Sequence, residues 1–303
     1  MHQVRPAAVA GTFYPGQAQA LSRTVQELLG PFSPAPQAVA GPPKALIVPH
    51  AGYVYSGATA AQAYAQLTPW RQAIGRVVLL GPVHRVPVRG LALPGVDALA
   101  TPLGEVDIDP VAIEALRRLP QVVISAAAHA QEHSLEVQLP FLQTVLEAFT
   151  LVPLAVGDAT PDEVSQVLES VWGGPETLIV ISSDLSHFLS HGQATAVDRQ
   201  SVQTLLALQP TLDHRQACGA TPINGLLLAA RRHHLRPQLL ALCNSGDTAG
   251  DWQRVVGYAA MAFFEGTVDA MKPQVAQLAS DTGNVLLALA RNAIGSALGV
   301  ESL

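Results

Sequence analysis

Charge is scarce in this chain: Asp, Glu, Lys and Arg make up 13% of its 303 residues, against a usual share of about 25%. So little charge excludes a solvated tail or linker, and the 49% hydrophobic content implies a large buried core. Basic residues are the rarer sign, 17 against 23 acidic ones for a formal net charge of −6, and basic runs stop at pairs such as Arg231-Arg232. Without a basic face, nucleic acid is not an expected partner. Cysteine is nearly absent, and Cys218 and Cys243 cannot build a disulfide framework. The opening Met1-His2-Gln3-Val4-Arg5-Pro6 lacks the apolar stretch of a secretory signal; both features point to the cytoplasm. Long apolar runs are missing as well. Despite a mean hydropathy of +0.28, His, Pro, Arg or Gly interrupts each one before the ~20 residues a membrane helix needs, so no membrane contact is expected.

What the chain does have is alternation. Short runs rich in Val, Ile and Leu, at Ala45 to Pro49, Val77 to Gly81, Val122 to Ser125, Leu151 to Val156 and Leu178 to Ser182, read as buried strands. Between them, helical spacing covers Leu21 to Leu29, Ala58 to Leu67, Val111 to Leu116, Leu135 to Phe149, Glu163 to Trp172, Val197 to Leu208 and Asn224 to Arg232. This order predicts an α/β fold with a central, largely parallel sheet flanked by helices. Val255 to Phe264 is a further strand candidate, and the five prolines of Pro31 to Pro43 mark a connecting loop. Residues 1–266 read as one α/β domain and residues 267–303 as an appended helical tail, with helical spacing from Val275 to Leu298.

Histidines sit where three of these strands end: His50 after Val48-Pro49, His84 after Gly81-Pro82-Val83, and Asp184 with His187 after Ile181-Ser182-Ser183. Parallel strands deliver their carboxyl ends to one edge, where ligands of open α/β sheets bind, so these imidazoles predict a metal centre. Asp184 and His187 share one face if a helical turn starts there, which suits acid/base chemistry. In Glu132-His133-Ser134-Leu135-Glu136 the i, i+4 pairs His129/His133 and Glu132/Glu136 suit two ligands on one helix face, although the two glutamates also fit solvated charges. His133 and Glu132 are read as groups that bind substrate or orient a ligand. Tyr53, Tyr55 and Phe188 give the pocket an aromatic rim, with Tyr55 as a substrate contact.

The set Pro49-His50-Ala51-Gly52-Tyr53, Gly81-Pro82-Val83-His84, Glu132-His133-Ser134-Leu135-Glu136-Val137-Gln138-Leu139-Pro140-Phe141, Ser182-Ser183-Asp184-Leu185-Ser186-His187 and Cys218-Gly219-Ala220-Thr221-Pro222-Ile223 resembles the Memo family, called AmmeMemoRadiSam system protein B in prokaryotes. The motifs occur in order between Arg5 and Phe264. The resemblance implies the fold of class III extradiol dioxygenases, which hold non-haem iron through two histidines and a carboxylate. It makes His50 and His84 metal ligands and His187, beside Asp184, the acid/base group. Animal members place a cysteine at the third ligand. Matching back from Val255 without gaps puts Thr248 there, and Cys243 falls several residues early. Neighbouring Asp247 would restore a two-His-one-carboxylate face, though an aspartate after Gly246 also fits a turn.

The expected cofactor is a divalent metal, Fe(II) first, with Cu or Zn as alternatives. Two functions follow: a metal-dependent redox enzyme of the dioxygenase-like type, or a non-catalytic module that binds a peptide or protein in the same pocket. A zinc hydrolase is a third option. The ligand would be a small molecule or peptide, and Amme-type and radical-SAM proteins are the implied companions. Asn284 to Ile294 resembles the first helix of the Amme partner domain.

Overall fold

A computed structural model describes residues 2–35, 38, 41–248 and 250–266; the tail helix expected at Val275 to Leu298 lies outside them. The strands in chain order are β1 (Val4–Arg5), β2 (Pro43–Val48), β3 (Arg76–Pro82), β4 (Leu91–Leu93), β5 (Ala98–Thr101), β6 (Gly104–Asp107), β7 (Val122–Ile124), β8 (Thr150–Val156), β9 (Thr177–Ser182), β10 (His187–Leu189), β11 (Arg236–Asn244) and β12 (Val255–Phe264). Nine of them form the main sheet, in the order β10-β12-β2-β9-β3-β8-β4-β7 with β11 also paired to β12. β1, β5 and β6 form a small separate sheet.

The centre of the main sheet, β2-β9-β3-β8, is parallel throughout. Its strands are buried almost end to end, because their aliphatic runs have helices on both faces. Period-two alternation splits each strand between two cores. Leu46, Val48, Leu79 and Val180 join Leu21, Tyr64 and Phe141 on one face, while Ile47, Val78, Leu80 and Ile181 join Val164, Ile223 and Leu227 on the other. The outer strands make the sheet mixed: β12 runs antiparallel to β2, β10 and β11, and β4 antiparallel to β8.

Two local expectations change, and one strand, β11, has no counterpart in the sequence reading. The helix read over Leu135 to Phe149 is a 3-10 turn at Glu136–Gln138 followed by a helix at Leu139–Val145. Pro140 sits in the first turn of that helix, where its missing N–H costs nothing. β11 carries Pro237, which speaks against a central strand, and among the described residues it pairs only with β12, the edge position where proline is tolerated. No helical turn follows Asp184. His187 opens β10 instead, and Phe188 takes a left-handed φ of 59°, a conformation that interrupts helical geometry.

The N-terminal segment is clasped to the domain by one buried carboxylate. Glu136 pairs with Arg5 and accepts from Ala8 N (2.8 Å), Val9 N (2.9 Å) and the Tyr14 hydroxyl (2.6 Å). It is an anchor, not a solvated helix-face charge. Removing one partner of a buried pair strands the other, at a cost of about 3–5 kcal/mol. Glu136→Ala is therefore expected to lower unfolding stability by that amount in urea titration, and Glu136→Gln, which retains an acceptor oxygen, by less.

Candidate metal centre

β2 and β3 flank β9 and run parallel to it, so all three end at one edge of the sheet. The chain leaves β2 through Pro49 to His50 and leaves β3 through Val83 to His84. Their rings meet with centroids 5.2 Å apart. A third imidazole arrives from a loop. The helix Ala126–Ala130 stops short of Glu132, and the irregular stretch beyond it puts the His133 ring 4.6 Å from His84 and 5.3 Å from His50. Among the described residues, His50, His84 and His133 are the group whose donor atoms all lie within 4.8 Å of one another.

Hydrogen-bond direction fixes which nitrogen two of these rings present. Ser182 Oγ has one proton, and Ser134 O, which can only accept, takes it at 2.5 Å. Gln138 Nε2 also reaches Ser182 Oγ (2.8 Å) and donates to Pro49 O (2.9 Å). His50 Nδ1, 3.0 Å from the same hydroxyl, must therefore donate, which leaves Nε2 of the neutral ring with a bare lone pair. His84 Nδ1 likewise donates to Glu132 Oε1 (2.9 Å), so its Nε2 is bare as well. This is the carboxylate- or hydroxyl-backed arrangement that orients metal-binding histidines.

Electrostatics keeps His50 and His133 neutral and the Glu132 carboxylate ionised. Burial, then the neighbouring His84, pushes His50 down to about 3. Burial and His50 push His133 down to about 4. Burial alone would raise the Glu132 carboxyl, but hydrogen bonds from the His84 ring and from the Ser134 and His84 N–H groups outweigh it and hold it at about 2.

The other residues expected at the site are placed as follows. Asp184 is buried; its Oδ1 accepts from His50 N (2.7 Å) and its Oδ2 lies 4.0 Å from His50 Nε2. Burial raises its pKa against that hydrogen bond. His187 Nδ1 donates to Leu185 O (2.8 Å), so its Nε2 is the free acceptor. Tyr55 lies in the first turn of the helix Tyr53–Tyr64 and is 39% exposed. Asp247 is not gathered with His50 and His84. Its Oδ1 accepts from His191 Nε2 (2.7 Å) and its Oδ2 from Asn244 N (2.9 Å), because Ser245–Asp247 closes a 3-10 turn capped by Asn244. Cys243 faces the Thr59 hydroxyl at 3.0 Å, and the Thr248 hydroxyl donates to Ser245 O. His129 is spent on Ala92 O.

Sequence reasoning missed Ser182, Gln138 and Cys218. Ser182 and Gln138 lie inside the quoted motifs, but only the three-dimensional hydrogen-bond count gives them a role. Cys218 Sγ stands 3.3 Å from His50 Nε2, its thiol pushed up to about 12 by burial and by nearby Asp184.

A family model described as Memo-like protein matches residues 5–262. A MEMO1 family protein of Aquifex aeolicus is 35% identical over 273 residues, covering 86% of this chain and 99% of the relative. Those of Methanopyrus kandleri and Sulfurisphaera tokodaii are 35% and 32% identical, each with 86% of this chain and 99% of the relative covered. The chain belongs to the Memo-like family.

Two measurements check this geometry. Glu132→Gln keeps the side-chain shape but loses the charge that backs His84 and His133, and affinity for Zn(II) in a competitive chelator titration is expected to fall about 10–100-fold. In the metal-free protein, the lowered pKa values of His50 and His133 mean that both rings stay neutral as pH falls below 6.5. Their ring signals in NMR should not titrate between pH 7 and pH 5.

Proposed function

We propose that His50, His84 and His133 hold a divalent cation, Fe(II) first with Cu and Zn as alternatives, in a redox enzyme of the extradiol dioxygenase-like type. The observation that supports this is the convergence of three imidazoles, two of them with Nδ1 committed to Ser182 and Glu132 so that Nε2 is the atom left for a ligand. Imidazole sets suit iron, copper and zinc, so the donors present fit the group. When bound, such an ion supplies Lewis acidity and, if redox-active, a route for electrons between an organic substrate and dioxygen.

The chain's own residues divide the remaining work. His187, its Nδ1–H tied to Leu185 O, offers Nε2 to take a proton from a substrate hydroxyl. Asp184 places a buried carboxylate beside His50 and offsets charge gathered at the centre. Tyr55 and Phe188, at 39% and 63% exposure, offer aromatic surface for a small organic ligand.

Protein purified without oxygen is expected to carry close to one equivalent of metal by elemental analysis, and His84→Ala well under half of that. Iron-loaded protein is then assayed for oxygen uptake with a panel of ortho-diphenols. Uptake by wild type that is lost in His84→Ala supports the redox reading. Uptake no greater than that of His84→Ala across the panel sinks it while leaving metal binding in place.

A further inference from the structure

The segment Cys218-Gly219-Ala220-Thr221-Pro222-Ile223 has no part in the centre as described so far, yet the fold presses it against that centre. Cys218 N donates to Asp184 O (3.2 Å), and Gly219 N donates to Ser183 Oγ (2.9 Å). A Cβ at Gly219 would come within 2.7 Å of the Ser183 side chain, so the close approach of the two segments requires glycine there. The contact fixes the backbone of Cys218 against the turn that follows β9. Its sulfur lies 3.3 Å from His50 Nε2, 3.6 Å from Asp184 O and 3.7 Å from Ser183 Oγ.

The first of those distances has a coordination meaning. With metal–nitrogen bonds near 2.0–2.1 Å and metal–sulfur bonds near 2.3 Å, two donors at 90–110° on one ion stand about 3.1–3.6 Å apart. The observed 3.3 Å falls in that interval. Because Nε2 is the bare nitrogen of His50, it is the acceptor that faces the Cys218 thiol, and a cation that takes the place of the thiol proton would find a lone pair on each atom.

We propose that Cys218 is a further donor of the metal centre, joining the three imidazoles as a thiolate. This rests on the metal-centre reading above. The step is a ligand exchange: the S–H bond breaks, a sulfur–metal bond forms, the proton leaves to solvent, and no electrons change hands. The sulfur stands outside the group whose donors all lie within 4.8 Å of one another, so binding draws it or an imidazole inward. One thiolate adds a negative charge to three neutral ligands and softens the site, which favours zinc, copper or iron over magnesium or calcium. The soft donor thus comes from the start of the helix Ala220–Arg232, not from the Asn244–Thr248 turn.

Cobalt(II) reports the bond directly, because a thiolate ligand gives an intense sulfur-to-cobalt charge-transfer band in the near ultraviolet that imidazole and carboxylate do not. Wild type, Cys218→Ser and Cys243→Ser are each loaded with one equivalent of Co(II), with bound cobalt quantified after desalting. The band is expected in wild type and in Cys243→Ser, and is expected to vanish in Cys218→Ser. The chain has only two cysteines, so the Cys243→Ser spectrum assigns the ligand even if Cys218→Ser does not fold. Stoichiometric cobalt in wild type without the band overturns the assignment and leaves the imidazole centre standing. A band lost in Cys243→Ser overturns it in favour of the other thiol. No cobalt bound by wild type ends the metal-centre reading and this assignment together.

Discussion

The geometry of the site depends on one carboxylate. Glu132 is 2% exposed and accepts from His84 N (2.6 Å), His84 Nδ1 (2.9 Å), His133 N (2.9 Å) and Ser134 N (2.9 Å). An ionised carboxylate out of water costs several kcal/mol, and two of the four donors that offset that cost, both from His84, are present only while two loops distant in sequence stay in register. All four bonds therefore pay for the burial, and the two from His84 dock the loop after β3 on the loop after the helix Ala126–Ala130. That docking stacks the His84 and His133 rings. His50 is oriented from the other side, through Ser182 at the end of β9 and Gln138, and Ser134 joins the two hydrogen-bond systems, its N–H on Glu132 and its carbonyl on the Ser182 hydroxyl.

Four residues along, Glu136 does a comparable job in another direction. Where Glu132 gathers the site loops, Glu136 gathers the N-terminal segment through Arg5, Ala8, Val9 and Tyr14. The Arg5 guanidinium adds bonds to His129 O and Glu132 O, and so ties the two anchors together. Phe13 in that segment lies 4.7 Å from the His133 ring. The N-terminal residues thereby reach the imidazole cluster, a contact that no local pattern in their sequence announces.

The parallel centre of the sheet was legible because its strands carry runs rich in Val, Ile and Leu that are buried on both faces, a pattern that the half-buried edge strands β10 and β11 do not share. His50 and His84 were legible for the same reason, since a strand end fixes where its next residues point. His133 was read as a substrate-binding or ligand-orienting group, and its ring stands with those of His50 and His84. Reading Glu132 and Glu136, or His129 and His133, at helical spacing assumes a continuous helix, whereas the chain is helical only to Ala130 and turns again at Glu136. The i, i+4 rule thus grouped side chains that the fold sends to different partners: His129 to a backbone carbonyl, His133 to the cluster. Asp247 was chosen for the chemistry of its carboxylate, but the same short reach that suits a ligand also suits a capped 3-10 turn, and Asn244 and His191 satisfy both of its oxygens.

The antiparallel edge also has a purpose in this arrangement. The turn bearing Asp184 and His187 lies over β12, where Leu185 N donates to Gly257 O and Gly257 N to Ser186 O, both at 2.8 Å. Asp198 closes it from the helix His191–Leu206, its Oδ1 accepting from Ser186 N at 3.0 Å. A Cβ on residue 257 would fall 1.9 Å from Asp198 Oδ2, so only glycine lets strand, turn and carboxylate approach this closely. Parallel strands alone would bring every loop to the edge with nothing to hold the last of them; an antiparallel partner running back past the site supplies those backbone bonds. The imidazoles thus stand on the parallel strands and their docked loop, while the proposed proton acceptor is held by the strand that breaks the parallel order.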